Sequence, residues 1–333
     1  MVEGVVISSG IQSSAGAAAI DTSSGYTPSS FGILPCIEYG LAGGNLVRLE
    51  FLIRTLSTGC LVLFLALLLW VAVGRDESPG FTGNIYQAKA IVTGEREETR
   101  LPALGQCLKD ALKKASGDPN IDRDPRVEEF AKQAQAYVKA FSYRDRMEGI
   151  PIHDEQGTRD RPYDLTVDFL AEKIDELLMV LGQKPWRARR PTIVVILAVR
   201  YEARSYLLTG DADEGFDQRE SFMSAAWLTG MPMVLPSSAA FNGAGMTAEK
   251  LPTASLADLK QIARASGGGI VLVGSIAWNK GMLGWKGDWQ LQSTDGPHNW
   301  QIQNVNFDAA FRSAMRGTAQ VLSGNGEPQN EVQ

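Results

Sequence analysis

The chain has 333 residues, 44% hydrophobic and 21% charged, with a formal net charge of −6. That length allows one large or two small domains with real cores, and the acidic balance argues against nucleic acid as a partner, because phosphate binding needs a basic surface. Of three cysteines only Cys107 lies beyond the apolar stretch described next, which excludes an intramolecular disulfide from the main body.

Residues 1–50 are rich in Gly, Ser and Ala, without sustained periodicity, and read as a disordered leader. A start near Val47 would leave that leader untranslated. Residues 51–75 hold the one long apolar run, Leu56 to Val73, uncharged from Cys60 onward. Its length falls between a bilayer span of about 20 apolar residues and a signal-peptide core of about 7 to 15. It is therefore read as a single-pass membrane anchor, or as a cleaved signal peptide with Ala72, Val73 and Gly74 as the cleavage site. Arg48 and Arg54 precede the run, so the positive-inside rule keeps residues 1–50 in the cytoplasm and exports everything from Arg75 onward.

The exported part reads as α/β, two small units with mixed sheets. The first unit spans 84–185: a strand over Ile85–Thr93, a helix over Arg100–Ser116 with Pro102 in its first turn, and a second helix over Arg126–Phe141. A period-two strand over Tyr163–Phe169 and a helix over Leu170–Leu181 complete it. Residues 182–191, with Trp186, Arg187, Arg189 and Arg190, form a linker that reads as a hinge or as a contact for anionic lipid.

The second unit spans 190–323. Thr192–Val199 is continuously apolar and β-branched, as in an interior strand. A helix over Asp217–Leu228 and a short strand over Met231–Leu235 follow. Ser255 and Asp258 form a capping box for a helix that turns Leu256, Leu259, Ile262 and Ala263 inward, and Gly267, Gly268 and Gly269 stop it. Strands over Ile270–Trp278, Trp285–Gln292 and Asn299–Val305 then lead to a helix over Phe307–Leu322. Residues 324–333 read as a frayed polar tail.

Several motifs invite chemistry. The three glycines would need to open a helix to cradle phosphate, but here they close one. Asp118, Asn120, Asp122, Asp124 and Glu129 have calcium-loop spacing, but Arg123 stands where such a loop needs glycine, and Pro119 and Pro125 stiffen it. That loop reads as a helix connection, and Asp211, Asp213 and Glu214 as a solvated cluster. Cys107, on an apolar helix face, reads as core. The two histidines, His153 and His298, lie in polar loops without a nucleophile motif. No catalytic residue, cofactor or metal ligand is assigned. Trp278, Trp285, Trp289 and Trp300, on three successive strands, form the candidate interaction face for a protein or a glycan; the alternative is that they cover the last helix.

The helix Leu101–Ser116 closing on Gly117, the segment Tyr137–Tyr143 and the strand Asp164–Phe169 resemble one bacterial family. So do Pro185, Trp186, Arg190 and Pro191, the run Gly230–Pro236, the residues Val273, Gly274 and Ser275, and the tryptophan-bearing strands. The family is catalogued as domain of unknown function two-zero-six-six and comprises exported or inner-membrane proteins of proteobacteria. More distantly the second unit looks like the TolB amino-terminal domain and CsgG-type proteins, and the first is similar to part of FlgT. The resemblance implies a non-enzymatic, membrane-tethered periplasmic protein that docks onto an envelope component, with a periplasmic small-molecule or glycan binder as the alternative and a hydrolase further behind.

Overall fold

The computed structural model describes residues 83–150 and 160–332. The leader and the apolar stretch expected to meet the membrane lie outside the described residues. Among the described residues no helix is long and apolar enough to cross a membrane.

The smaller sheet has the order β1-β3-β2, built from β1 (Gln87–Thr93), β2 (Val138–Asp145) and β3 (Pro162–Phe169), and is antiparallel throughout. On β3, Leu165, Val167 and Phe169 are buried while Asp164, Thr166 and Asp168 face the wetter side, as the alternation predicts. Helix α1 (Glu97–Ser116) covers the buried side with Leu104, Cys107, Leu108, Ala111 and Leu112, and α3 (Ala171–Val180) adds Ile174 and Leu178.

One expectation is overturned here. The helix read over Arg126–Phe141 is α2 (Pro125–Lys132), followed by one 3-10 turn over Ala134–Tyr137 and then by β2. Helical spacing runs through Val127, Ala131 and Ala134, but Phe141 and Tyr143 alternate, and β2 pairs them with Val167 and Leu165. Rings of Phe141, Tyr143 and Tyr163 meet edge to face at 5.8 and 6.1 Å across that sheet. A second, smaller difference is that α1 begins at Glu97, which places Pro102 inside it.

The larger sheet is mixed and is built from β4 (Ile193–Tyr201), β5 (Arg204–Leu207), β7 (Ile270–Asn279), β8 (Gly284–Ser293), β9 (Gly296–Val305) and β10 (Glu331–Val332), in the order β10-β9-β8-β7-β4-β5. At its centre β4 (Ile193–Tyr201) runs parallel to β7 (Ile270–Asn279). The other side of β4 is shared: β6 (Met233–Val234) pairs with its start and β5 (Arg204–Leu207) with its end. Ile193 to Val199 are buried on both faces, which explains the unbroken apolar run. One face packs on α4 (Phe216–Thr229) and α7 (Phe307–Leu322). The other packs on Phe241 of α5 (Ser238–Gly243) and on Leu259 and Ile262 of α6 (Leu256–Ala265).

The capping box of α6 is present, Ser255 accepting from Asp258 and Asp258 from Ser255. Leu256, expected inward, is exposed; it is the first residue of the helix, one turn before the buried Leu259. β8 (Gly284–Ser293) and β9 (Gly296–Val305) complete the meander.

The tail is corrected as well. Rather than fraying, it lies along β9, where β10 (Glu331–Val332) adds a parallel strand. Polar contacts hold it: Gln301 donates its amide to Asn330, Arg316 pairs with Glu331, and His298 sits 2.9 Å from Glu327.

The segment read as a hinge is a packed joint. A helix leaves its last carbonyls without partners, and α1 ends between the two sheets. The carbonyl of Lys114 accepts from Arg190, that of Ala115 from the Trp186 amide at 2.7 Å, that of Ser116 from Asn325, and that of Gly117 from Ser323. Arg190 also reaches Thr229 at the end of α4 and stacks on Trp186 at 4.2 Å. Lys114, 1% exposed, donates to the Gln87 carbonyl and sits 3.6 Å from the Trp227 ring centre. Burial pulls its pKa down to about 7.

Candidate functional site

The four tryptophans divide between two environments. Trp289 stands opposite Gly274 on β7 and Trp300 on β9. A Cβ at Gly274 would fall 2.2 Å from the Trp289 ring, and one at Gly317 on α7 would fall 2.6 Å from Trp300. Each indole therefore lies in a seat that only glycine leaves open. Phe222 of α4 and Phe311 of α7 stack at 4.6 Å above Trp289. Both indoles are 3% exposed, and their N–H groups find no acceptor among the described residues.

This corrects the reading of a four-tryptophan interaction face. Trp289 and Trp300 are core, because α7 closes over the face they share. Even spacing put Trp285 and Trp289 on one side of β8, and α7 covers both, Trp285 through Phe307 and Trp289 through Phe311.

Trp278 and Trp285 lie toward the open end. They face each other across the β7–β8 ladder at 5.7 Å, edge to face, and Tyr201 at the end of β4 tilts onto both at 6.0 and 5.8 Å. Trp285 is itself covered by Phe307, whereas Trp278 is partly exposed and Tyr201 exposed. Just beyond this pair the β7–β8 hairpin turns through residues 280–283. Met282 and Leu283 are both exposed there, Leu283 by 76%. Leu283 has φ +50°, the left-handed region that a leucine enters only against a steric penalty.

Beside the aromatic trio runs a groove of about 450 Å³, lined by Tyr201, Arg204, Tyr206, Glu214, Gln218 and Trp285. Arg204 and Glu214 pair at 2.6 Å on its rim, and Phe216 projects from the first turn of α4 beyond it. The groove opens where β4 and β7 end side by side. Open α/β sheets present ligands at the carboxyl ends of such strands. Sequence reasoning missed Tyr201, Tyr206 and β5 itself. Its one available signal was the polar turn after Tyr201, where Glu202 at φ +53° lets the chain double back.

The other candidates have separate duties. Asp118 accepts from Asn120 and Gln183, Asp122 pairs with Lys113, Asp124 caps α2, and Glu129 pairs with Lys132. These carboxylates point to different partners instead of to one centre, so the calcium spacing has no matching geometry. Among the described residues no group of three or more His, Cys, Asp or Glu is placed to hold a metal. Asp211 accepts from the amide and hydroxyl of Ser238, bonds that hold its pKa below the usual carboxylate value, while Glu214 belongs to the groove.

His298 lies between Glu327 and Asp295, and hydrogen bonds to those carboxylates raise its pKa, Glu327 foremost. His153 lies outside the described residues. Cys107 is buried in the α1 core as expected, and burial pushes its thiol up to about 12, where it is no nucleophile.

A family model described as Domain of unknown function (DUF8605) matches residues 82–187. Those residues carry the small sheet, its helices and the chain as far as Arg187, so the match stops at the joint and leaves the aromatic end outside it. No curated protein and no solved structure matches the chain.

Proposed function

We propose that this is a non-enzymatic docking protein of the bacterial envelope, tethered through residues 56–73 with its folded part on the periplasmic side. In this reading the aromatic end of the large sheet receives a protein partner. The observation that carries it is Leu283: an apolar side chain, 76% exposed, held at an unfavourable φ at a hairpin tip beside exposed Met282. The left-handed backbone opposes folding, and the exposed side chain buries nothing that would offset it. Their joint presence is a reason to look for a contact that uses them. Trp278, at the base of the same hairpin, and Tyr201, in ring contact with it, add aromatic surface of the types enriched at interface centres.

Site-specific photocross-linking in living cells tests the proposal. A cross-linker at position 280, in the hairpin, is expected to capture one envelope protein that a cross-linker at position 260 on α6 does not. No adduct, or the same adducts from both positions, would overturn it. A glycan binder is the second reading, favoured by the groove in which aromatic faces stand beside the Arg204–Glu214 pair. It predicts that an envelope oligosaccharide binds and that Tyr206→Ala abolishes this without changing the cross-link from position 280. Saturable binding that survives Tyr206→Ala, or no binding, removes that reading.

A further inference from the structure

A second cleft, of about 280 Å³, lies between the two sheets, where three helices each present one face. α1 contributes Asp110, Lys113 and Lys114, α4 contributes Leu228, and α7 contributes Arg312 and Arg316. Three cationic side chains, with the partly neutral Lys114 beside them, thus surround a small space against one carboxylate, in a chain whose net charge is −6.

Helix dipoles do not account for this. Cations gather at helix carboxyl ends when the terminal carbonyls lack partners, but those of α1 are already taken by Arg190, Trp186, Asn325 and Ser323. Arg312 and Arg316 lie in the middle of α7, far from either end. Internal ion pairs account for only part of it. Lys113 pairs with Asp122 and Arg316 with Glu331, while Arg312 has no ion pair among the described residues. Like charges in a narrow, partly apolar cleft reinforce one another's field.

We propose that this cleft binds a phosphate group carried on a small organic body. The guanidinium groups of Arg312 and Arg316, one helical turn apart, would take the phosphate, for which their planar forks are suited. Leu228 and Ala225 offer an apolar wall to the carbon part, and Asp110 and Thr229 offer acceptors to its hydroxyls. Burial raises the Asp110 carboxyl, so it opposes an anion less than a surface carboxylate would. Such a group can belong to a free phosphorylated compound or to a phospholipid headgroup. The proposal stands apart from the docking reading, because the cleft shares no residue with the aromatic end.

The test is calorimetric titration of the full-length protein in detergent with two probes, inorganic phosphate and short-chain phosphatidylglycerol, with short-chain phosphatidylcholine as reference. Saturable binding of either probe is expected, and Arg312→Glu should weaken it by at least about tenfold. Arg264→Glu, a charge reversal on exposed α6, should leave it unchanged. Binding of phosphate indicates the free compound, and binding of phosphatidylglycerol alone indicates a headgroup. No saturable binding of either probe, binding that survives Arg312→Glu, or equal loss in Arg264→Glu overturns the proposal. Because Arg312 is exposed and in no ion pair among the described residues, its variants should fold, which Arg312→Ala checks independently.

Discussion

Strand β8 passes through two unlike places within six residues. Around Trp289 the sheet is closed: glycine seats receive the indoles, and α7 covers them. Around residues 281–283 it is open, with Met282, Leu283 and nearby Tyr201 exposed and Trp278 partly so. The same residue types thus serve packing in one place and present a surface in the other. What separates them is not hydrophobicity but the reach of one helix, since α7 starts at Phe307 and runs away from the hairpin.

Truncation in the closed region should have the largest effect. Trp289→Ala should cost about 3–5 kcal/mol, the usual range for a large aromatic in a core. Leu283→Ser should stay within about 0.5 kcal/mol, as for an exposed site. Urea unfolding measures both, and equal costs would erase the distinction between the two regions.

The seats can be tested next. Gly317→Ala lies within a helix, where propensity alone would stabilise by about 1 kcal/mol. Because the new methyl would fall 2.6 Å from Trp300, the variant is expected to lose about 1–3 kcal/mol instead. A gain in stability would mean that the indole has room to move.

The joint is a second closed region, and pH reads it out. Lys114 titrates near 7 in the folded protein, below its ordinary 10.5, so between these values the unfolded chain binds more protons. Its contribution therefore makes stability rise with pH in that window, by at most about 1.4 kcal/mol per pH unit. His298 runs the other way: its folded pKa is raised, so its contribution is present below 6.5 and fades as pH climbs through the folded value. Cys107 also opposes Lys114, but only above pH 9. The difference between wild type and Lys114→Met isolates the lysine, and between pH 7 and 9 wild type should gain stability relative to the variant. A flat difference would mean that the Trp227 face and the Gln87 carbonyl hold the ammonium charged.

The smallest effect belongs to the hairpin. Leu283→Gly removes the left-handed penalty and no buried surface, so stability should hold or rise by roughly 0.5 kcal/mol. A clear loss in thermal unfolding would mean that Leu283 packs within the fold.

Much of this architecture was legible because periodicity reports burial directly. The double-sided burial of β4, the capping box at Ser255 and the span of α7 follow from local pattern alone. The conversion of Val138–Asp145 to a strand did not, since a helical face continues through Ala134 before the alternation begins, and only pairing with β3 decides between them. β5 is four residues long and half exposed, too short for any pattern to stand out. The tail gave no signal, because polar contacts with β9 and α7 hold it in place of apolar burial.

The candidate site was half legible. Tryptophan spacing located the aromatic strands, but glycine seats and the limits of helix cover are tertiary facts. The basic cleft was hidden for a related reason: its side chains come from three helices far apart in sequence.

The most direct measurement combines the position-280 cross-link with the double variant Met282→Ser, Leu283→Ser. The partner adduct is expected to disappear while the urea midpoint is unchanged. An adduct that persists in a fully folded variant would contradict the docking reading.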